Sequence, residues 1–186
     1  MSALVIHPVT RRVQRAAVAR WHSHNRRSTA GERLALGGSV AGELVAVIVL
    51  GSPAVELDDG TTWEVARLAC GPIAPRYTAS RLLGAAGRVM DAAGVTRQVS
   101  YTRADERGSC YLAAGWRPTA WVIGREHTTG NRALRCLPGL YDAGTEIVDR
   151  VRWERGPRAA PPLALTWTPG GWVLAPATTP GEPERP

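Results

Sequence analysis

Hydrophobic and polar positions along this 186-residue chain change their period several times. Residues 33–40 and 63–69 alternate, as half-buried strands do. Residues 44–51 form an almost wholly apolar run, which fits a strand covered on both faces. Within 63–69, alternation expects Trp63, Val65 and Arg67 on one face and Glu64, Ala66 and Leu68 on the other. Shorter strands are expected at an N-terminal edge leading to Pro8, at 97–102 and, as the last of the series, at 116–124. Helical stripes lie between them. Val13, Ala16, Ala17, Arg20 and Trp21 follow a Thr10 cap toward His24, and Leu82, Leu83, Ala86, Val89 and Met90 run from a Thr78 or Ser80 cap to Gly94. A short helix at 109–114 stops at Gly115. The series helix, hairpin, strand, helix, strand, helix, strand predicts an α/β (α+β) domain with helices packed on a mixed sheet.

Beyond Arg125 the pattern changes. Residues 127–145 read as loop, 146–155 as a basic amphipathic segment, and 156–162 as a proline-rich linker. The alternating, turn-bearing stretch that follows reads as a β-hairpin. The expected organisation is a domain over 1–125, an extension with a hairpin over 126–175, and a disordered tail over 176–186.

Composition adds charge. All 23 basic residues are arginine, phenylalanine is absent, and the net charge is +7. Tryptophan, leucine and valine must therefore fill the core, and an acidic partner such as DNA or a phosphorylated cofactor is favoured. Three widely spaced cysteines suggest neither a disulfide framework nor a zinc knuckle. They read as reduced thiols of a cytoplasmic protein. The longest apolar run is too short to span a bilayer, so no membrane partner is expected.

Candidate chemistry centres on residues 61–86. Gly71, Pro72 and Pro75 end the strand there, and Arg76, Tyr77, Thr78, Ser80 and Arg81 surround the start of a helix. The stretch reads either as a plain capped helix or as a cradle where free N–H groups and guanidinium meet phosphate. Glu64 reads as a base that takes a proton from an amine or as the anchor of an ion pair, with Arg67 as a candidate partner. Tyr101 reads as a substrate-positioning group, as an acid, or as packing. His22 and His24 serve one site only where the helix has ended; either is a base or ligand, or a cation facing the helix dipole. Asp105 lies in a loop. Arg26, Arg27, Arg150, Arg152 and Arg155 are candidate phosphate contacts. Trp21, Trp63 and Trp116 are either core residues or stacking partners for an extruded base.

The order of elements resembles the GNAT acetyltransferase fold, whose cofactor turn has the form Arg/Gln-x-x-Gly-x-Gly/Ala. Here the turn runs Arg76-Tyr77-Thr78-Ala79-Ser80-Arg81, keeping the arginine and lacking both glycines. A narrower resemblance is to phage and prophage proteins related to the Mom DNA-modification protein. It rests on Trp21-His22-x-His24-Asn25, Gly51-Ser52-Pro53, Asp58-Asp59-Gly60, Glu64-Val65-x-Arg67-Leu68 and Ser80-Arg81-Leu82-x-Gly84-Ala85-Ala86. Tyr101-Thr102, Leu112-Ala113-Ala114-Gly115-Trp116 and Asp149-Arg150-x-Arg152-Trp153-Glu154 complete it.

The resemblance implies a phage-type transferase that attaches a small acyl or glycine-derived group to a DNA base amine, shielding phage DNA from restriction. It implies acetyl-CoA or a related donor, iron held by His22, His24 and Asp105, and a role for Tyr111 in protonating the leaving thiolate. In the family's second motif a carboxylate stands where this chain has Arg103. An ordinary N-acetyltransferase acting on a small amine or protein, and a non-catalytic nucleic-acid-binding protein, are the alternatives.

Overall fold

A computed structural model describes residues 3–23, 31–124 and 148–175. The described residues form nine strands and three α-helices. In chain order these are β1 (Leu4–Pro8), α1 (Arg11–Trp21), β2 (Glu32–Val40), β3 (Glu43–Gly51), β4 (Thr62–Cys70), α2 (Thr78–Ala92), β5 (Arg97–Arg103), α3 (Ser109–Ala113), β6 (Arg117–Val122), β7 (Arg150–Arg155), β8 (Leu165–Thr168) and β9 (Gly171–Leu174). Seven strands make one sheet in the order β1-β2-β3-β4-β5-β7-β6, and β8-β9 form a separate hairpin. Every neighbouring pair in the large sheet is antiparallel except β4 and β5. Those two run parallel because α2 carries the chain back between them. No described helix is long and apolar enough to cross a membrane.

Each face of the sheet has its own core. Ala46, Ile48, Leu50 and Val65 meet Leu82, Leu83, Ala86 and Met90 of α2 on one face. Val47, Val49 and Ala69 meet Ala17 and Val18 of α1 on the other. Both sides of β3 are thus buried, as its unbroken apolar run requires. Thr10 caps α1 by accepting from the Val13 N–H. The buried stripe of α1 is Gln14, Ala17 and Val18, while Val13 stays 40% exposed, so the stripe is rotated by one residue from the expected one.

In a chain without phenylalanine, tryptophan fills the far end of the first core. Tyr111 stacks on Trp153 at 5.4 Å between ring centroids and meets Trp116 edge-on at 5.7 Å. Trp172 of the hairpin meets Trp153 and Trp167 edge-on. Its indole N–H donates to the Glu106 carbonyl, which fixes the hairpin over the loop after β5. Gly108, at φ +64°, lies flat against Trp153, where a Cβ would come within 2.3 Å of the ring.

The hairpin matches the sequence reading, whereas the boundary near residue 125 does not describe the sheet. Residues 150–155 are strand β7, inserted between β5 and β6, so β6 becomes an edge and the supposed extension supplies an interior strand. Its alternation sends Val151 and Trp153 into the core on the α2 face. Arg152 and Glu154 take the α1 face, opposite Tyr101 and Val99 of β5.

Among the described residues Glu154 is the most fully enclosed charge. Arg97 donates to both its oxygens at 2.9 and 2.7 Å, and the Ala160 N–H adds a bond of 2.8 Å. Burial pushes this carboxyl up, but the Arg97 hydrogen bonds, the Ala160 amide and the neighbouring Arg152 outweigh it and hold its pKa below the ordinary value. Removing one partner of a buried ion pair typically costs about 3–5 kcal/mol. Glu154→Gln is therefore expected to destabilise the fold by about that much near neutral pH, read by urea denaturation. A depressed folded pKa gives stability that is full above the ordinary value of 4.5 and is lost as pH falls through the folded value. The two proteins should accordingly converge in acid.

Candidate functional site

The sheet opens at its centre. β4 and β5 pair only over Thr62–Val65 and Arg97–Ser100; past Val65 and Ser100 they share no ladder partners. β4 stays with β3 to Cys70, and β5 stays with β7 to Arg103. A wedge therefore forms between the C-terminal halves of two parallel strands, the place where open α/β sheets bind ligands.

At the vertex the β3 register slips. Val49 pairs with Arg67 and Leu50 with Val65, leaving Ala66 as the extra residue of a β-bulge. The bulge flips the parity of the strand beyond it. Glu64 and Arg67, expected on opposite faces, share the α1 face, while Val65 and Leu68 both join the α2-side core.

Four half-buried groups converge on the α1 face of the wedge: Glu64 and Arg67 of β4, Tyr101 of β5 and Arg150 of β7. Burial raises the Glu64 carboxyl above its ordinary value, against the opposing charges of Arg67 and Arg150. Burial also lowers Arg67; the Glu64 charge counters that shift and Arg150 adds to it. Tyr101 is raised by burial and by the Glu64 charge, while Arg152 stabilises its anion. Arg152 itself lies 2.8 Å from Glu154, an ion pair too oblique for a hydrogen bond. A carboxylate on a bulged strand, with its proton affinity raised by burial and guanidinium groups acting on it, is suited to proton transfer.

The α2 face of the same vertex carries a hydrogen-bond relay. Ser100 Oγ donates to the Val65 carbonyl at 3.0 Å, so the Tyr111 hydroxyl, 2.8 Å from that Oγ, is the donor to it. Tyr111 is held among tryptophans and its phenol is pushed well up by burial. Ser100 is not among the candidate site residues, because a serine inside an alternating strand carries no signal of its own.

The turn after β4 differs in detail from a capped helix. Tyr77 is left-handed at φ 68° and precedes α2 without capping it. Thr78 Oγ1 donates to the Pro75 carbonyl and Ser80 Oγ to the Tyr77 carbonyl, so neither expected cap accepts from the helix. Among the described residues nothing accepts from the N–H groups of Ala79 and Ser80. Arg76 lies over the Tyr77 ring at 4.7 Å, and Arg81 is exposed on the first turn. The result is a helix N-terminus with open amides beside two guanidinium groups, at the exit of the wedge strand.

Other candidates lie elsewhere. His22 ends α1, its N–H on the Val18 carbonyl, and Trp21 packs on Gly71 just past β4. His24, Arg26 and Arg27 lie outside the described residues. Asp105 is held by Arg103 through bonds of 2.8 and 2.7 Å, the arginine occupying the place expected of a carboxylate. Among the described residues no group of three His, Cys, Asp or Glu side chains is placed to hold a metal, so the described residues give iron no site. Arg155 points to the α2 face, where it binds Asp91 and Gln98 beside Gly87. It is a strut between β7 and α2.

No protein-family model and no curated protein matches the chain. Solved structures do. An IAA acetyltransferase from Bacillus cereus superposes with a TM-score of 0.59 at 14% identity, covering 82% of this chain and 98% of that one. A Bacillus subtilis acetyltransferase in complex with CoA gives 0.58 at 15%, covering 83% and 99%. A GNAT family acetyltransferase from Elizabethkingia anophelis with acetyl-CoA bound gives 0.56 at 16%, covering 82% and 97%. The likeness is one of architecture, and the chain has the GNAT acetyltransferase fold.

Proposed function

We propose that the chain is a coenzyme-A-dependent N-acyltransferase whose chemistry takes place in the wedge between β4 and β5. The observation that carries this reading is the bulge at Ala66, which puts Arg67 on the face of Glu64 where β4 and β5 part, while the open amides of α2 follow β4. Two of the similar structures are described as holding CoA or acetyl-CoA.

The turn fits such a cofactor despite its missing glycines. Ala79 and Arg81 occupy the glycine positions, yet neither has a positive φ, so the backbone makes no demand that only glycine meets. The N–H groups of Ala79 and Ser80, with Arg76 and Arg81, would hold the pyrophosphate. The bound thioester would supply an electrophilic carbonyl. Glu64 takes the proton that an ammonium acceptor must lose before its nitrogen can attack. Arg67 keeps that carboxylate ionised and oriented. Tyr111, which the acetyltransferase resemblance makes the proton donor to the leaving thiolate, is bonded through its hydroxyl to Ser100 at the vertex.

A second reading places the acceptor amine on a DNA base, as in the Mom-like resemblance. It is supported by Arg150 and Arg152 standing on the Glu64 face and by the net charge of +7. Nucleoside mass spectrometry of DNA from cells expressing the soluble protein tests it: an added acyl-type mass supports it, and only ordinary nucleosides count against it.

Acetyl-CoA is expected to raise the melting temperature in a thermal-shift assay, and no shift at saturating concentration would remove the cofactor assignment. Glu64→Gln is expected to lower kcat by about a hundredfold or more, the usual share of a general base. Because Glu64 ionises above its ordinary value of 4.5, the acid limb of kcat/KM should lie above that value, with activity rising as pH climbs through it. Retention of the same limb by the Glu64→Gln protein would assign the proton transfer elsewhere.

A further inference from the structure

Charge in the wedge does not balance. On the α1 face, the Glu64 carboxylate is influenced by two guanidinium groups, those of Arg67 and Arg150. The neighbouring arginines are already engaged: Arg97 and Arg152 with Glu154, and Arg103 with Asp105. Arg150 differs from them. It forms no hydrogen bond or ion pair with any described residue, yet it is half-buried on an interior strand, paired across to Arg103 and Val122. Its strand register puts it on the same face as Glu64 and Arg67, and its charge acts on both. A guanidinium held partly out of water beside another cation gains most from a planar oxyanion, which it can take in a bidentate grip.

We infer that Arg150 anchors an oxyanion subsite, so that the acyl acceptor is an amine carrying a phosphate or carboxylate, its anion on Arg150 and its nitrogen on Glu64. This deepens the acyltransferase reading and rests on it. The subsite spans two strands that only the inserted β7 brings together. Arg67 is tied to the Ala66 carbonyl and interacts with the Glu64 charge. A neutral amine leaves Arg150 without a partner among the described residues, and a charge-assisted hydrogen bond of this type corresponds to a preference of about ten- to a hundredfold.

The test uses the whole chain with matched acceptors: phosphoethanolamine against ethanolamine, β-alanine against its amide, and deoxyadenosine monophosphate against a short oligonucleotide. The wild-type protein should show kcat/KM about ten- to a hundredfold higher for the charged member of each of the first two pairs. Arg150→Gln should erase that ratio and Arg150→Lys should keep part of it. Preference within the nucleotide pair assigns the anion either to a nucleic acid or to a small metabolite. Equal rates for charged and neutral amines, or an unchanged ratio in Arg150→Gln, would overturn the subsite. A second measurement is independent of turnover. Inorganic phosphate titrated into CoA-saturated protein, followed by calorimetry, should bind the wild type about tenfold more tightly than the folded Arg150→Gln variant. If no amine is acylated while phosphate binding depends on Arg150, the subsite stands and the transferase reading falls. Phosphate binding indifferent to Arg150 overturns the subsite itself.

Discussion

The separation of β4 from β5 after four paired residues governs the arrangement of everything around it. A continuous ladder there would consume the backbone groups of both strands and close the sheet. One extra residue, Ala66, bends β4 toward β3 instead, and the two parallel strands diverge from Val65 and Ser100 onward. The same residue reverses which side chains face which helix. Glu64 and Arg67 are thereby neighbours on one surface, while Val65, Leu68 and Cys70 remain in the core on the other.

Two glutamates on this surface show how the protein distinguishes a structural charge from a reactive one. Glu154 is sealed beneath the chain at Ala160 and has a bidentate arginine and an amide for its two oxygens, so its proton is held off. Glu64 has the charges of Arg67 and Arg150 near it, but burial dominates and its affinity for a proton rises. Charge count alone does not separate them. The difference lies in how many hydrogen bonds reach the carboxylate to offset its lost hydration. An arginine-only basic complement suits this role, because guanidinium forks can be shared between a structural acid and a wedge without losing their charge.

Much of this architecture was legible from periodicity. The apolar run of β3, the α2 stripe ending near Gly94 and the β8-β9 hairpin all follow from local pattern, which long-range contacts do not override. The bulge was not legible: strict alternation assigns Glu64 and Arg67 to opposite faces, and no residue type at position 66 signals an insertion. The place of β7 was hidden for a different reason. A basic stretch with apolar residues at every second position is a strand only if two other strands leave a gap for it, and that gap is set by contacts far apart in sequence, such as Arg97 with Glu154. Capping was half legible. Thr10 serves as expected, whereas the hydroxyls of Thr78 and Ser80 turn back to carbonyls because Tyr77 enters the helix from the left-handed region.

The late position of β7 in the chain carries a further consequence for how the protein is made. Until residue 155 leaves the ribosome, β5 and β6 are both edges with a strand-wide slot between them, and the aromatic stack lacks Trp153 at its centre. From the time β5 is made until β7 follows, the nascent domain thus carries an open template for pairing. Closure of the sheet depends on contacts of high sequence separation, which slow folding in general.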